Sequence, residues 1–303
     1  MDSDQRPVVV YIAGAGRSGS TLLEGLLSER TGATAIGEIR SFLAAGYRWE
    51  VKCECGEPFA DCSFWSQVMD STLGASSPQH RQHLESTRQS LVANRSIIRL
   101  LRGRDQWSTA EETVARFHDR LYRSITDIAG VPIVVDASKS PTYALFLAAL
   151  GTIDLRVIHL VRDSRAVAFS WQRKKKWLAS TSDDAPLMRI EAPTRVVREW
   201  TTYNALSDVL RARSKPSILI RYEDLADEPE TVVESVVDGL SIPTHTVSTT
   251  GTGHGFLGNP IRFTTSPLKV KRDDEWRSGM DRRDHRVTTA LTLPQLLRYG
   301  YRP

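Results

Sequence analysis

Residues 8–21 read Val8-Val9-Val10-Tyr11-Ile12-Ala13-Gly14-Ala15-Gly16-Arg17-Ser18-Gly19-Ser20-Thr21 and run from a strand pattern through a glycine-rich loop to a helix start. Its first six residues are a continuous apolar, β-branched run, the pattern of a strand buried on both faces. Leu22, Leu23, Leu26 and Leu27 then recur at helical spacing, and Gly32 supplies a stop. Between strand and helix, Gly14-x-x-x-x-Gly19-x-Thr21 has the spacing of a phosphate-binding loop. Glycines there let the backbone approach an anion, and the helix N-terminus adds partial positive charge. One residue breaks the pattern: Ser20 stands where a triphosphate loop carries lysine. That lysine reaches the β- and γ-phosphates, so its replacement argues against a kinase or ATPase. Gly16, Arg17, Ser18, Gly19, Ser20 and Thr21 still form a nest for a nucleotide anion without a γ-phosphate, with Arg17 as the cation.

Further strands follow at Thr34-Ala35-Ile36, Ile133-Val134-Val135-Asp136, Leu155 to Val161 and Ser217-Ile218-Leu219-Ile220, with helical patterns between them. This alternation predicts an α/β fold: a three-layer, P-loop-type parallel sheet flanked by helices. The Arg-rich helical stretch 64–129 reads as a helical insertion within a single domain spanning 1–303. Ligands of such sheets bind beyond the carboxyl ends of the strands. Charged residues stand at every one of those ends: Arg17, Glu38, Lys139, Arg162 and Tyr222-Glu223. Residues 178–193 read as a loop or lid, Gly251 to Gly258 as a flexible loop, and Leu291 to Leu297 as a short helix.

Composition sets the outer limits. Forty basic against 36 acidic residues are too balanced to argue for nucleic acid. No apolar run approaches the ~20 residues of a transmembrane helix. The polar start Met1-Asp2-Ser3-Asp4-Gln5-Arg6 does not read as a signal peptide, so a cytoplasmic protein is expected. Cys53, Cys55 and Cys62 lack a fourth zinc ligand unless His80 or His83 supplies it. Reduced thiols in a structured loop, with no metal, are the expectation.

A second anion site is legible in Arg162-Asp163-Ser164-Arg165-Ala166-Val167-Ala168-Phe169-Ser170-Trp171, where an arginine at a strand exit and a serine two turns later converge. The run Arg173-Lys174-Lys175-Lys176 reads either as a solvated helix end or as part of an anion-binding rim, in which Lys174 lies near the same anion from the end of the same helix. Two phosphate sites on one nucleotide imply a bisphosphorylated adenosine.

With these motifs in order, the chain resembles the sulfotransferases that use 3′-phosphoadenosine 5′-phosphosulfate (PAPS), in their bacterial, carbohydrate and tyrosyl-protein-like branch. The resemblance runs from residue 8 to about 240. It implies that Arg17-Ser18-Gly19-Ser20-Thr21 holds the 5′-phosphosulfate and that Arg162 and Ser170 hold the 3′-phosphate. Tyr222, in Arg221-Tyr222-Glu223-Asp224-Leu225, matches a tyrosine near the adenine. Arg262, in Gly258-Asn259-Pro260-Ile261-Arg262, matches an arginine of a loop that closes over the nucleotide; its alternative is a surface loop arginine.

The same resemblance implies sulfuryl transfer to a hydroxyl or amine, with PAP as product and no metal. Lys139 and Arg17 are then assigned to the leaving oxygen and Glu38 to the general base. A structural ion pair of Glu38 with Arg40 is the alternative. The histidine of animal small-molecule enzymes has no counterpart in Ser138-Lys139-Ser140-Pro141. His159 reads as a core residue, and His254 is a distant second candidate for the base. The remaining function classes are a P-loop nucleotide kinase or NTPase and a non-catalytic nucleotide-binding protein. The acceptor, whether small molecule, lipid or glycan, and the oligomeric state are not legible.

Overall fold

The computed structural model describes residues 6–47, 51–173, 180–181, 190–245, 253–263 and 270–303. In chain order the elements are β1 (Val8–Ala13), α1 (Ser20–Thr31), β2 (Thr34–Gly37), α2 (Phe42–Tyr47), α3 (Ser63–Leu73), α4 (Pro78–Leu91), α5 (Ile97–Arg102) and α6 (Thr109–Ala129). Then come β3 (Ile133–Lys139), α7 (Pro141–Leu150), β4 (Asp154–Val161), α8 (Ser164–Gln172), α9 (Pro193–Arg213) and β5 (Ser217–Arg221). The chain ends with α10 (Tyr222–Asp227), α11 (Pro229–Gly239), α12 (Trp276–Gly279) and α13 (Arg282–Arg298).

The five strands form one sheet in the order β2-β3-β1-β4-β5, and every pair is parallel. The apolar run of β1 places it at the centre, buried along its whole length. Strand alternation divides its side chains between two layers. Val8, Val10 and Ile12 pack with Leu23 and Leu27 of α1 and Val233 and Val236 of α11. Val9, Tyr11 and Ala13 share the opposite core with α3, α6 and α7. Because β1 leads to β2 on one side and β4 lies on the other, the loop after β1 opens at the point where the strand order reverses, the crevice that ligands of such sheets use.

The stretch 64–129 is helical, as expected, and packs on the sheet. Its longest helix, α6, starts at a capping box in which the Ser108 backbone N–H donates to Glu111 at 2.7 Å and the Ser108 side chain accepts from the Glu111 N–H. Val114, Phe117, Leu121 and Ile125 make its buried stripe and join the same core as β1 and β3. The C-terminal helix is longer than the sequence reading, Arg282–Arg298 rather than Leu291 to Leu297. Its polar first half hides the helical period, while Asp281 caps it by accepting from the Arg283 N–H at 2.8 Å. Residues 253–258 are pinned rather than loose, with Phe256 fully buried. Most of 178–193 lies outside the described residues. No helix among the described residues is long and apolar enough to cross a membrane.

Asp136, near the end of β3, is fully buried. It accepts from the Ser138 N–H at 2.8 Å and from the Tyr122 hydroxyl at 2.6 Å. Burial raises its pKa to about 7, only partly offset by these bonds. An unfolded aspartate titrates near ~3.9. Between these values the folded chain keeps a proton that the unfolded chain has lost, so rising pH destabilises the fold across that window. Asp136→Asn retains an acceptor for Ser138 and does not titrate. Urea denaturation at a series of pH values is expected to show its stability, relative to the unsubstituted chain, improving by up to about 4 kcal/mol from about pH 4 to above pH 7. A pH-independent difference contradicts this assignment.

Candidate active site

The carboxyl ends of β1, β2, β3 and β4 surround a cleft of about 350 Å³. Its floor is the loop between β1 and α1. Gly14 sits at φ +143 with the Leu160 carbonyl where a Cβ would go, so only glycine brings the loop this close to β4. Gly19, at φ +92, precedes α1, and a Cβ there would lie 2.5 Å from the Tyr222 ring. Both constraints come from the protein itself, from Leu160 on β4 and from the Tyr222 ring. The hydroxyls of Ser20 and Thr21 open the helix, and Thr21 Oγ1 accepts from the Asn259 N–H at 3.1 Å, which fastens the loop 253–263 to the helix start.

Among the described residues, four non-glycine residues have positive φ, and two of them are the cations Arg17 (φ 67) and Lys139 (φ 66). Such conformations cost of order 1–3 kcal/mol and persist where surrounding structure enforces them. Arg17 lies over the Trp171 ring, 4.9 Å from its centroid, and burial lowers its pKa. Lys139 Nζ donates to Glu38 at 2.6 Å and to the Ala137 carbonyl at 3.0 Å. Burial alone would raise the Glu38 pKa, but its pairing with Lys139, helped by Arg40, holds it below the usual carboxylate range. The ion pair of Glu38 is therefore with Lys139 rather than with Arg40. Its carboxylate is ionised while the pair stands.

At the other end, Arg162 donates to the Arg17 carbonyl at 2.9 Å and stacks its guanidinium over Tyr222, 4.3 Å from the ring centroid. Ser170 on α8 lines the same end. Arg162 also pairs with Asp273 at 3.1 Å, and Arg173 pairs with the same carboxylate. Burial pushes the Asp273 pKa up, yet the two arginines outweigh it and hold the group ionised.

Most residues chosen from sequence thus line one cleft: Gly16, Arg17, Gly19, Ser20 and Thr21 from the loop, with Glu38, Lys139, Arg162, Ser170 and Tyr222 from the strand ends and helices. Two do not. Ser18 is buried, and its hydroxyl is not part of the wall. Arg262 requires a correction: it is buried, off the cleft, and engaged on every side. Its guanidinium pairs with Glu24 and with Glu54, the latter at 2.9 Å, and donates to the Leu257 carbonyl at 3.0 Å. Glu24 is itself completely buried and accepts the Gly37 N–H at 2.6 Å, so Arg262 neutralises an interior carboxylate. Lys174 lies outside the described residues.

His159 is a core residue, hydrogen-bonded to Asn204 at 2.9 Å, and His254 stands among the cysteines, away from the cleft wall. Sequence reading missed Arg40, Trp171, Glu199, Tyr203, Lys271 and Asp273 on that wall. The basic run Lys269-Val270-Lys271-Arg272 was a signal for Lys271; nothing marked Asp273 out from its acidic neighbours.

A sequence model of the sulfotransferase family matches residues 7–246. The chain belongs to the sulfotransferase family. Carbohydrate sulfotransferase 6 of Homo sapiens is 28% identical over 170 residues, covering 50% of this chain and 42% of that protein. The chain thus spans less than half the length of this curated relative. Among solved structures, the sulfotransferase domain of the Synechococcus PCC 7002 olefin synthase aligns over 100% of this chain and 98% of its own, at 19% identity and a TM-score of 0.53, a likeness of fold. The sulfotransferase domain from the curacin biosynthetic pathway aligns over 98% of this chain and 99% of its own, at 18% identity and a TM-score of 0.49.

Arg262→Ala in this sulfotransferase leaves Glu24 buried without its cation, a change that typically costs about 3–5 kcal/mol. Chemical denaturation near neutral pH is expected to show a loss of that order, shrinking as acid protonates Glu24. A variant as stable as the parent would contradict this stabilising role.

Proposed function

We propose that the cleft binds PAPS and transfers its sulfuryl group to a carbohydrate hydroxyl, releasing PAP. The observation that carries this reading is the pairing of two anion positions in one cleft. The glycine loop with Arg17 and Lys139 makes one, Arg162 with Ser170 makes the other, and the Tyr222 ring lies beside Arg162. A nucleotide with phosphates on its 5′ and 3′ sides spans that arrangement, whereas a triphosphate needs the lysine that Ser20 replaces. Family membership supports sulfuryl transfer. The carbohydrate relative and the polar wall of Arg40, Glu199 and Tyr203 support a polyhydroxyl acceptor.

In the transfer, an acceptor oxygen attacks sulfur in line with the bridging oxygen. The S–O bond to the 5′-phosphate breaks and its electron pair stays on that phosphate. Lys139 and Arg17 stabilise the charge that develops there. Glu38 accepts the acceptor's proton. The ion pair between Glu38 and Lys139 couples the two tasks: donor binding draws Lys139 to the bridging oxygen, and Glu38, freed of its cation, becomes more basic when the acceptor is present.

Calorimetry is expected to give micromolar PAP binding and weak ATP binding; ATP binding as tightly as PAP contradicts the donor assignment. With labelled PAPS and a carbohydrate acceptor, Glu38→Gln lowers kcat by roughly 10²–10⁴-fold and Lys139→Ala by roughly 10²–10³-fold, while both variants still bind PAP, Lys139→Ala the more weakly because it loses a contact to the 5′-phosphate. Near-normal turnover by either variant removes its assigned role.

Asp273 sits where it competes with a phosphate for Arg162. Asp273→Asn is expected to tighten PAP roughly tenfold, about 1.4 kcal/mol, in the same titration. Weaker binding would make Asp273 part of the nucleotide site.

A further inference from the structure

Three thiols and one imidazole converge behind the cleft. Cys53 and Cys62 are buried and Cys55 and His254 are partly buried, and their ligand atoms all lie within 4.8 Å of one another. Cys62 Sγ is 3.5 Å from His254 Nδ1, Cys53 Sγ is 3.7 Å from the same nitrogen, and Cys55 Sγ is 3.6 Å from Cys62 Sγ. A tetrahedral zinc ion with bonds of ~2.3 Å to sulfur and ~2.05 Å to nitrogen has S···S edges of about 3.8 Å and S···N edges of about 3.6 Å. The three separations above match those edges, and the remaining ones lie within 4.8 Å.

The scaffold fixes each ligand. The turn Cys53-Glu54-Cys55-Gly56 is closed by the Gly56 N–H donating to the Cys53 carbonyl at 3.0 Å. Cys62 sits at the N-cap of α3. The His254 ring stacks on Phe64, with centroids 4.5 Å apart and planes 6° apart, and its carbonyl accepts from Trp65 Nε1 at 2.7 Å. Pairing of Cys53 with Phe256 and of the Glu54 N–H with the Gly255 carbonyl at 2.8 Å brings the two segments together. His80 and His83, the histidines near in sequence, are exposed on α4.

We propose that Cys53, Cys55, Cys62 and His254 bind a zinc ion that staples the 53–62 turn to the 253–263 loop. This departs from the expectation of unligated thiols, because the fourth ligand comes from a histidine 192 residues beyond Cys62. Four protein ligands leave no open position, and none of the four lines the cleft, so the ion is structural. Its effect reaches the cleft through the loop it holds: Phe256 accepts the Glu38 N–H at 3.3 Å, and Asn259 binds Thr21. A cross-link between segments so far apart in sequence removes much of the unfolded chain's freedom.

The test uses the full chain, free of any histidine tag and purified under reducing conditions. Metal analysis is expected to find about one equivalent of zinc. Cobalt(II) in its place is expected to give the intense visible bands of a tetrahedral site and a near-ultraviolet thiolate charge-transfer band. His254→Ala is expected to weaken the metal roughly tenfold or more, and His254→Cys to restore it with a stronger charge-transfer band. Should His254→Ala fail to fold, the cobalt spectrum of the unsubstituted chain decides. A folded chain that binds neither metal stoichiometrically, or a disulfide between Cys55 and Cys62 in the freshly purified protein, overturns the proposal.

Discussion

The structure turns on Lys139, where one residue ties three strand ends together. Its carbonyl accepts the Gly14 N–H at 3.0 Å, which fixes the start of the glycine loop to the end of β3. Its ammonium reaches Glu38, just past β2, at 2.6 Å. Its own backbone is left-handed at φ 66, the conformation that lets the carbonyl face β1 while the side chain crosses to β2. The strain is held in place by the buried sheet on one side and by the salt bridge on the other. The two groups proposed for leaving-group stabilisation and proton transfer are therefore set by the sheet rather than by loops. The ion pair keeps the carboxylate charged in the absence of a nucleotide.

Behind this lies a second buried charge system. Glu24, completely inside α1's packing face, receives the Gly37 N–H and the Arg262 guanidinium, and Arg262 reaches on to Glu54. The network joins the helix after the glycine loop, the end of β2, the cysteine turn and the 253–263 loop. A buried carboxylate without a cation costs several kcal/mol, so Arg262 stabilises the fold whatever binds in the cleft. Zinc at the cysteines would secure the same loop from its other end, making it a rigid wall of the site.

Much of the sheet was legible because buried parallel strands are continuous apolar runs, and those of β1, β3 and β4 stand out against polar neighbours. Charges at strand exits were informative for a physical reason: the sheet's interior excludes them, and the carboxyl edge is where a charged side chain first meets a cleft. What sequence left hidden depends on long-range closure. Arg262 lies in a motif that promised a ligand contact, but a motif does not reveal a buried partner such as Glu24, 238 residues away. Asp273 and Lys271 reach the cleft because the 270–275 segment returns across the Tyr222 ring. His254 was legible as a histidine in a glycine loop and not as a neighbour of cysteines, since long-range pairing, Cys53 with Phe256 and Glu54 with Gly255, brings the segments together. The polar half of α13 carried no apolar period to extend the helix back to Arg282.

A crystal structure of the chain with PAP tests the coupling of Lys139 and Glu38 to nucleotide binding most directly. The 5′-phosphate is expected on the backbone N–H groups of Gly16 to Thr21, the 3′-phosphate on Arg162 and Ser170 with Asp273 displaced, and Lys139 moved from Glu38 toward the 5′-phosphate. A nucleotide bound outside this cleft, or one seated in it with the Glu38–Lys139 pair still closed and Lys139 distant from the phosphate, would contradict it.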